Sequence, residues 1–194
     1  VDEANFDLQN RNIPQNFWST LYTSVLYDLK NAKELTTDAK QKAQIEVIEV
    51  YTWQLLVDTF GDIPYSEALQ GQGDATPAYD DGNTIYTDLI ARIDTAITGL
   101  GGAGTGFVQP DVIYSGDIAK WIKFANSLKL KLAVHVGNSP AANAAAGGAF
   151  TSNADNATIA FEGSTPNTNP LWVSLVQSGR NDFVPAKTIV DVMN

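Results

Sequence analysis

The strongest constraint on the fold comes from one long apolar stretch. Eleven of the eighteen residues from Ala43 to Phe60 are apolar, and no glycine or proline interrupts them. A run of this length and pattern favours a helix of about five turns over a strand. Its second half is apolar nearly all round, as expected of a helix that other elements cover. Gly61 stands where a left-handed C-cap would lie, and Pro64 cannot continue the helix. The sequence therefore predicts a buried central helix.

Three further helices are predicted around it. After a lead-in segment, Val1–Gln15, apolar residues recur at three- and four-residue steps from Trp18 to Leu35. A second stripe runs from Ile85 to Leu100, with Gly99 and the following glycines expected to end it. A third runs from Ile118 to Leu132, behind an N-cap at Asp117.

The connections between these helices suggest how they pair. Thr36–Asp38 supplies a short turn and an N-cap for the central helix, so the first two helices should lie antiparallel. By contrast, Gln70–Asn83 is a long polar loop, and loops of this kind often carry a surface role. Two successive hairpins of this layout are typical of tandem helical repeats. Beyond them we expect a short helix after Pro140, an extended piece at Ala157–Phe161 and a helix from Lys187.

Composition excludes several classes of function. The 194 residues include 44% hydrophobic and 18% charged residues, as in an ordinary globular protein. A formal net charge of −10 argues against nucleic acid as a partner, because phosphate binding needs clustered lysine and arginine. The chain has no cysteine, so it can form neither a disulfide nor a thiolate metal site.

Signals for catalysis, a cofactor or a metal are weak. His135 is the single histidine, and a packed or capping role is expected of it. Asp80 and Asp81 precede a glycine, but the spacing of a calcium loop is absent and a turn is favoured. Asp62 and Glu67 could be paired as glycosidase carboxylates only arbitrarily, since the chain has 22 acidic residues. No catalytic, cofactor or metal residue is assigned.

Several blocks of sequence, taken together and in order, resemble the SusD/RagB family. Two of the blocks are LLVDTFGDIPYSEAL and GDIAKWIKFANSLKLKLAVHV, and the ordered combination is far more specific than any single block. The blocks occupy Leu55–Leu69, Pro77–Asp80, Ile85–Leu100, Gly116–Val136, Asp155–Phe161, Asn169–Trp172 and Arg180–Met193. The resemblance covers the chain from about Trp18 to its end.

This resemblance implies a fold and a function. SusD-like proteins are all-α, with tetratricopeptide-like helical hairpins and irregular loops. They are lipid-anchored on the outer face of the outer membrane of Bacteroidetes-type bacteria. There they bind nutrients, most often oligosaccharides, and act with a SusC-like TonB-dependent transporter. They are binding proteins and not enzymes. The anchoring cysteine is absent here and family members are longer, so residues 1–194 are expected to be one SusD-like domain, incomplete at its C-terminal side.

Carbohydrate binding would use aromatic faces with polar side chains beside them. Trp172 lies in an irregular stretch rich in asparagine and proline, near the polar group Arg180, Asn181 and Asp182. Tyr79, on the long acidic loop, is another candidate, although that loop could equally face the transporter. These five residues are the predicted ligand-binding set. The other tryptophans lie on helical stripes and are expected in the core: Trp18, Trp53 and Trp121.

Two alternatives to nutrient binding stay open. The helices could form a scaffold for protein contacts only, with no small-molecule site. An exposed aromatic cluster would favour binding over this reading. A glycoside-cleaving enzyme would instead need two carboxylates facing each other across a cleft at about 5 to 9.5 Å.

Overall fold

The computed structural model describes residues 12–73, 76–109, 111–180 and 187–193. These residues form two compact units, which divide after Ala157. The elements, in chain order, are α1 (Ile13–Ser19), a π-helical turn (Thr20–Leu26), α2 (Tyr27–Leu35), α3 (Ala39–Phe60), β1 (Ile63–Pro64), β2 (Tyr79–Asp80), α4 (Gly82–Gly101), α5 (Ile118–His135), α6 (Ser139–Ala146), α7 (Pro170–Trp172) and α8 (Lys187–Met193). The predicted all-α fold class is confirmed.

The predicted central helix is α3, and Asp38 sets its start. The Asp38 carboxylate accepts hydrogen bonds from the amides of Lys40 and Gln41 at 2.9 and 3.0 Å. It also accepts one from the amide of Thr105 at 2.8 Å, so it ties the loop after α4 to the start of α3. At the other end, Gly61 has a φ of 76°, as predicted, but its ψ of −122° lies outside the left-handed helical region.

The first helical run begins earlier than predicted. It starts at Ile13, and Pro14 lies in its first turn, where the missing proline N–H leaves no hydrogen bond unmade. Assigning Ile13–Gln15 to the lead-in segment was therefore wrong. The rest of that segment, residues 1–11, lies outside the described residues. The run then continues to Leu35 through the π-helical turn, which the periodicity did not indicate.

Helix α4 begins after a capping aspartate and ends in the glycine-rich run. Its N-cap is Asp81, whose carboxylate accepts a hydrogen bond from the amide of Thr84 at 3.0 Å. The helix ends at Gly101, within the glycine-rich run that was predicted to end it and two residues beyond Gly99. A Cβ at Gly99 would lie 3.0 Å from the Cβ of Ala43, which shows that glycine here allows α4 to pack closely on α3.

The helices of the first unit pack in chain order. Helix α3 packs on α2 and α4, α5 on α4, and α6 on α5. Leu56, Leu89, Ile93 and Leu132 are completely buried between them. Asp117 caps α5 as predicted, with its carboxylate 3.1 Å from the amide of Lys120.

Charged side chains bridge α2, α3 and α4 at one edge of this core. The Arg92 guanidinium binds Glu46 at 2.5 Å and Glu49 at 2.8 Å, and Lys33 binds both carboxylates as well. Burial raises the pKa of Glu46, but Arg92 and Lys33 outweigh burial and lower that pKa overall. For Glu49, burial and the charge of Glu46 keep the pKa raised. The four side chains hold three helices together.

The two strands are short and close the loop that follows α3. Strands β1 and β2 are antiparallel, with Ile63 opposite Asp80 and Pro64 opposite Tyr79. The Tyr22 hydroxyl donates a hydrogen bond to the Pro64 carbonyl at 2.6 Å. Tyr22, early in the first helical run, thus contacts the chain just beyond the end of α3, whereas Lys33, late in that run, contacts Glu46 in the first half of α3. The first two helices are therefore antiparallel, as predicted.

The second unit is built from short helices. Asn169 caps α7, with its side-chain oxygen 2.8 Å from the amide of Leu171, and a π-helical turn follows at Val173–Gln177. The helix predicted from Lys187 is present as α8. The predicted extended piece, Ala157–Phe161, forms no strand. Among the described residues, no helix has the length and apolar character needed to cross a membrane.

Candidate functional site

An aromatic cleft lies on the surface of the first unit, where α1 meets the ends of α3 and β2. Its volume is about 310 Å³. Five residues line it: Pro14, Gln15, Trp18, Phe60 and Tyr79. We call it the Tyr79 cleft. It contains one of the predicted ligand-binding residues.

The rings of this cleft are arranged around Trp18. The Tyr79 ring is stacked with the Trp18 ring, with centroids 6.3 Å apart and planes inclined at 25°. The Phe60 ring meets the Trp18 ring edge-on, with centroids 5.0 Å apart. The centroid of the Tyr22 ring lies 4.8 Å from that of Trp18. Such offset and edge-to-face contacts are favourable between aromatic rings. Tyr79 nevertheless remains 66% exposed, so a broad aromatic surface faces solvent.

The backbone around Tyr79 is held by two carboxylates. Asp80 accepts hydrogen bonds from the amides of Tyr65 and Ser66 at 3.0 and 2.8 Å, and from the Ser66 hydroxyl at 2.9 Å. Glu67 accepts one from the amide of Ala78 at 2.8 Å. The Ser66 amide, opposed only in part by burial, lowers the pKa of Asp80. Tyr79 thus projects from an anchored strand and not from a free loop.

Tyr22 lies behind the exposed rings and is neutral. Burial raises the pKa of its hydroxyl well above its ordinary value, and the nearby Tyr79 and Asp80 raise it further. The hydroxyl is bound to the Pro64 carbonyl, so it supports the cleft from beneath.

The remaining predicted site residues do not belong to the first unit. Trp172 is at the end of α7 in the second unit and is 40% exposed. Arg180 also belongs to the second unit, where its amide donates a hydrogen bond to the Ser178 hydroxyl at 3.3 Å. Asn181 and Asp182 lie outside the described residues. Their roles stay predictions.

Sequence reasoning missed most of the Tyr79 cleft. Trp18 was expected in the core, together with Trp53 and Trp121; those two are buried, whereas Trp18 is half-buried and also lines the cleft. The sequence signal for a partly exposed Trp18 was its position near the start of an amphipathic helix, next to a stretch of weak periodicity. Gln15 had been assigned to the lead-in segment.

The other chemical candidates have structural partners. His135 Nδ1 lies 2.9 Å from the Tyr86 hydroxyl, which also binds Asp58. Burial, with Asp58 adding to it, raises the pKa of Tyr86 to about 12. Asp62 accepts a hydrogen bond from the Gly82 amide at 3.0 Å. Within the described ranges, no three histidine, cysteine, aspartate or glutamate side chains form a group that could hold a metal ion.

Comparison with known proteins assigns the chain to a family. A family model described as "Starch-binding associating with outer membrane", SusD-like, matches residues 1–194. The chain belongs to the SusD-like family. The resemblance noted in its sequence blocks is therefore confirmed. A comparison with curated protein sequences gives no match.

Solved SusD-like structures are similar to this chain. A chitin-binding SusD homologue from Flavobacterium johnsoniae is 29% identical, with a TM-score of 0.71, over 82% of this chain and 36% of that one. A SusD homologue from Bacteroides uniformis is 33% identical, with a TM-score of 0.65, over 80% and 33%. A protein named as chitin-binding is 32% identical, with a TM-score of 0.64, over 74% and 33%. The chain thus spans about a third of the length of the structures it matches.

Proposed function

We propose that this protein binds oligosaccharides at the bacterial outer membrane as a SusD-like nutrient-binding protein. Family membership supports the class of function, because the family model is described as starch-binding and two similar structures are named as chitin-binding. The observation that carries the proposal to this chain is the exposed Tyr79 ring, stacked with Trp18 in a surface cleft.

The Tyr79 cleft has the chemistry that a sugar needs. The faces of pyranose rings carry C–H groups, which pack on aromatic rings, and their hydroxyls need hydrogen-bond partners. Tyr79 supplies an exposed ring, and the Gln15 amide and the Tyr79 hydroxyl supply polar atoms at the cleft. Because Tyr79 is fixed by β2 and Asp80, little order has to be gained on binding.

We propose that Trp172, Arg180, Asn181 and Asp182 add ligand contacts from the second unit. We further propose that the protein is lipid-anchored and faces outward, and that it delivers its ligand to a SusC-like TonB-dependent transporter. The mechanism is reversible, non-covalent capture with no chemical step. Outer-membrane association of the family supports the location.

Calorimetry on the full-length protein tests this proposal. The ligands are maltohexaose and N-acetylchitohexaose, with product formation followed in the same samples by chromatography. Saturable binding without product supports capture. Product formation would replace capture with an enzyme, and absence of binding to all glycans would favour a scaffold for protein contacts. Co-purification of the transporter with the tagged full-length protein tests the partnership separately.

A further inference from the structure

A second cavity lies in the first unit, between α2, α3 and the loop that leads into α5. Its volume is about 220 Å³, and it shares no lining residue with the Tyr79 cleft. Trp121 in its lining is 4% exposed and Val112 is 67% exposed, so the lining runs from the core to the surface. We call it the Gln44 cavity. Most of its lining residues are apolar, and together they are Leu29, Gln44, Ile45, Ile48, Phe107, Asp111, Val112, Ile113 and Trp121.

Gln44 brings an unused hydrogen-bond donor to the wall of this cavity. The residue is 2% exposed, and its Oε1 accepts a hydrogen bond from the Phe107 amide at 2.7 Å. That bond fixes which end of the side-chain amide is the oxygen, so Nε2 lies at the opposite edge. Nε2 is buried and has no hydrogen-bond partner in the described part of the chain. Buried polar groups are normally paired, so an unpaired donor in a cavity wall calls for a partner.

The other polar side chains of the lining are already paired. Asp111 Oδ2 accepts hydrogen bonds from the Trp121 indole and from the Gly116 amide, each at 2.8 Å. Its Oδ1 accepts hydrogen bonds from two further backbone amides, both at 3.0 Å. Each carboxylate oxygen thus has two donors, which fills its capacity. Gln44 Nε2 is therefore the polar side-chain group of the described lining that a ligand would complete.

The lining also decides what kind of ligand fits. A buried water needs roughly two to four polar partners, and this wall offers one free side-chain donor. A dry cavity of about 150 Å³ accepts benzene, so the Gln44 cavity has room for a ring with a short substituent. A carbonyl oxygen only accepts hydrogen bonds, so it pairs with Nε2 and adds no unpaired donor of its own, as a hydroxyl would. A carboxylate would bring a charge among apolar side chains, at a large cost in solvation.

We propose that the Gln44 cavity binds a small neutral ligand in which a ring carries an acyl group. The ring packs among the apolar side chains, and the carbonyl oxygen accepts a hydrogen bond from Gln44 Nε2. Ketones, esters and amides of this form share the required chemistry. The proposal is independent of oligosaccharide binding at the Tyr79 cleft, because the two sites have no residue in common.

The test compares acetophenone with α-methylstyrene, which has nearly the same shape but a methylene group in place of the carbonyl oxygen. Ligand-detected NMR titrations of the full-length protein give the two dissociation constants. Gln44→Met keeps the length of the side chain and removes the donor. It should weaken acetophenone at least fivefold and change α-methylstyrene less than twofold. The cost of desolvating each ligand is the same for both proteins, so it cancels in this comparison.

Two further variants locate the binding. Gln41→Met is the matched control, since Gln41 also lies on α3 and donates a hydrogen bond to the Gly106 carbonyl at 3.4 Å, but does not line the cavity. It should change both affinities less than twofold. Val112→Trp adds a bulky ring at the exposed rim and should weaken both ligands at least threefold. This variant tests the site even if the change at Gln44 disturbs folding.

Three results would overturn the proposal. They are absence of binding of both ligands to the full-length protein, an equal effect of Gln44→Met on the two ligands, and unchanged binding in Val112→Trp. None of these results bears on oligosaccharide binding, which calorimetry with maltohexaose and N-acetylchitohexaose tests separately.

Discussion

The indole nitrogen of Trp121 donates a hydrogen bond to Oδ2 of Asp111 at 2.8 Å. The same carboxylate accepts hydrogen bonds from the amides of Ile113, Tyr114 and Gly116, at 3.0, 3.0 and 2.8 Å. Gly116 has a φ of 87°, which only glycine adopts readily. The glycine and the tryptophan of the block GDIAKW therefore serve one structure, a turn wrapped around Asp111 at the start of α5.

Replacing Trp121 by phenylalanine should destabilise the protein by about 2–4 kcal/mol, because it removes a charge-assisted hydrogen bond and part of a buried ring. Urea unfolding of the full-length protein measures this change. Trp172→Phe, at an exposed position, should change stability by less than about 0.5 kcal/mol. A double-mutant cycle with Asp111→Asn should show coupling of at least about 0.5 kcal/mol, and additive effects would contradict the assigned role.

Stability should also fall in acid, in part through Asp111. Burial raises its pKa, but the Trp121 indole and the backbone amides outweigh burial and lower the pKa overall. The folded state therefore favours the carboxylate. Its contribution is present above the unfolded-state pKa of about 3.9 and is lost as the pH falls through the lower folded-state value. Asp111→Asn should lose less stability than the parent protein between about pH 6 and about pH 3, measured by urea unfolding. Parallel losses would contradict this.

The charge bridge between α2, α3 and α4 predicts a large effect at Arg92. Arg92→Met leaves the buried carboxylate of Glu49 with Lys33 as its remaining cation and should cost about 3–5 kcal/mol. Lys187 forms an exposed pair with Asp191 on α8, and its side chain is 84% exposed. Lys187→Met should therefore cost less than about 1 kcal/mol. Thermal unfolding of both variants compares the two losses of stability. Similar losses would contradict a larger contribution from the ion pairs of Arg92 than from the exposed pair of Lys187.

Binding should depend on the ring of Tyr79. Tyr79→Ala should weaken oligosaccharide binding at least tenfold, or about 1.4 kcal/mol, because the exposed stacking surface is removed. Tyr79→Phe keeps the ring and should retain most of the affinity. Tyr27 on α2 is 42% exposed and does not line the cleft, so Tyr27→Ala is the matched control and should bind normally. A loss of affinity shared by both alanine variants would point away from the cleft.

The parts of the fold that sequence predicts are those that local chemistry decides. Asp38 and Asp117 each cap a helix through amides two or three residues later, so a short stretch of sequence contains the whole signal. Gly99 shows the limit of such reading. Glycine is common at helix ends, and α4 does end in this glycine-rich run, but Gly99 itself lies within the helix and permits close packing on Ala43, which is distant in sequence.

The candidate site was harder to predict because it also depends on contacts between residues that are distant in sequence. Tyr79 was recognised because it lies on an unusually long polar loop. Its partner Trp18 is 61 residues earlier and lies on an apolar helical stripe, where a buried position is the usual outcome. The pairing of β1 with β2, which brings the two rings together, involves only two residues on each strand. Periodicity cannot detect so short a pair.

The hydrogen bond from Thr105 to Asp38 has a consequence for local opening. It closes the α3–α4 hairpin into a loop of 68 residues whose two ends meet at one carboxylate. Fraying of the start of α3 therefore requires release of the loop after α4. In native-state hydrogen exchange, the amides of Lys40, Gln41 and Thr105 should share one opening free energy and behave as a single cooperative unit.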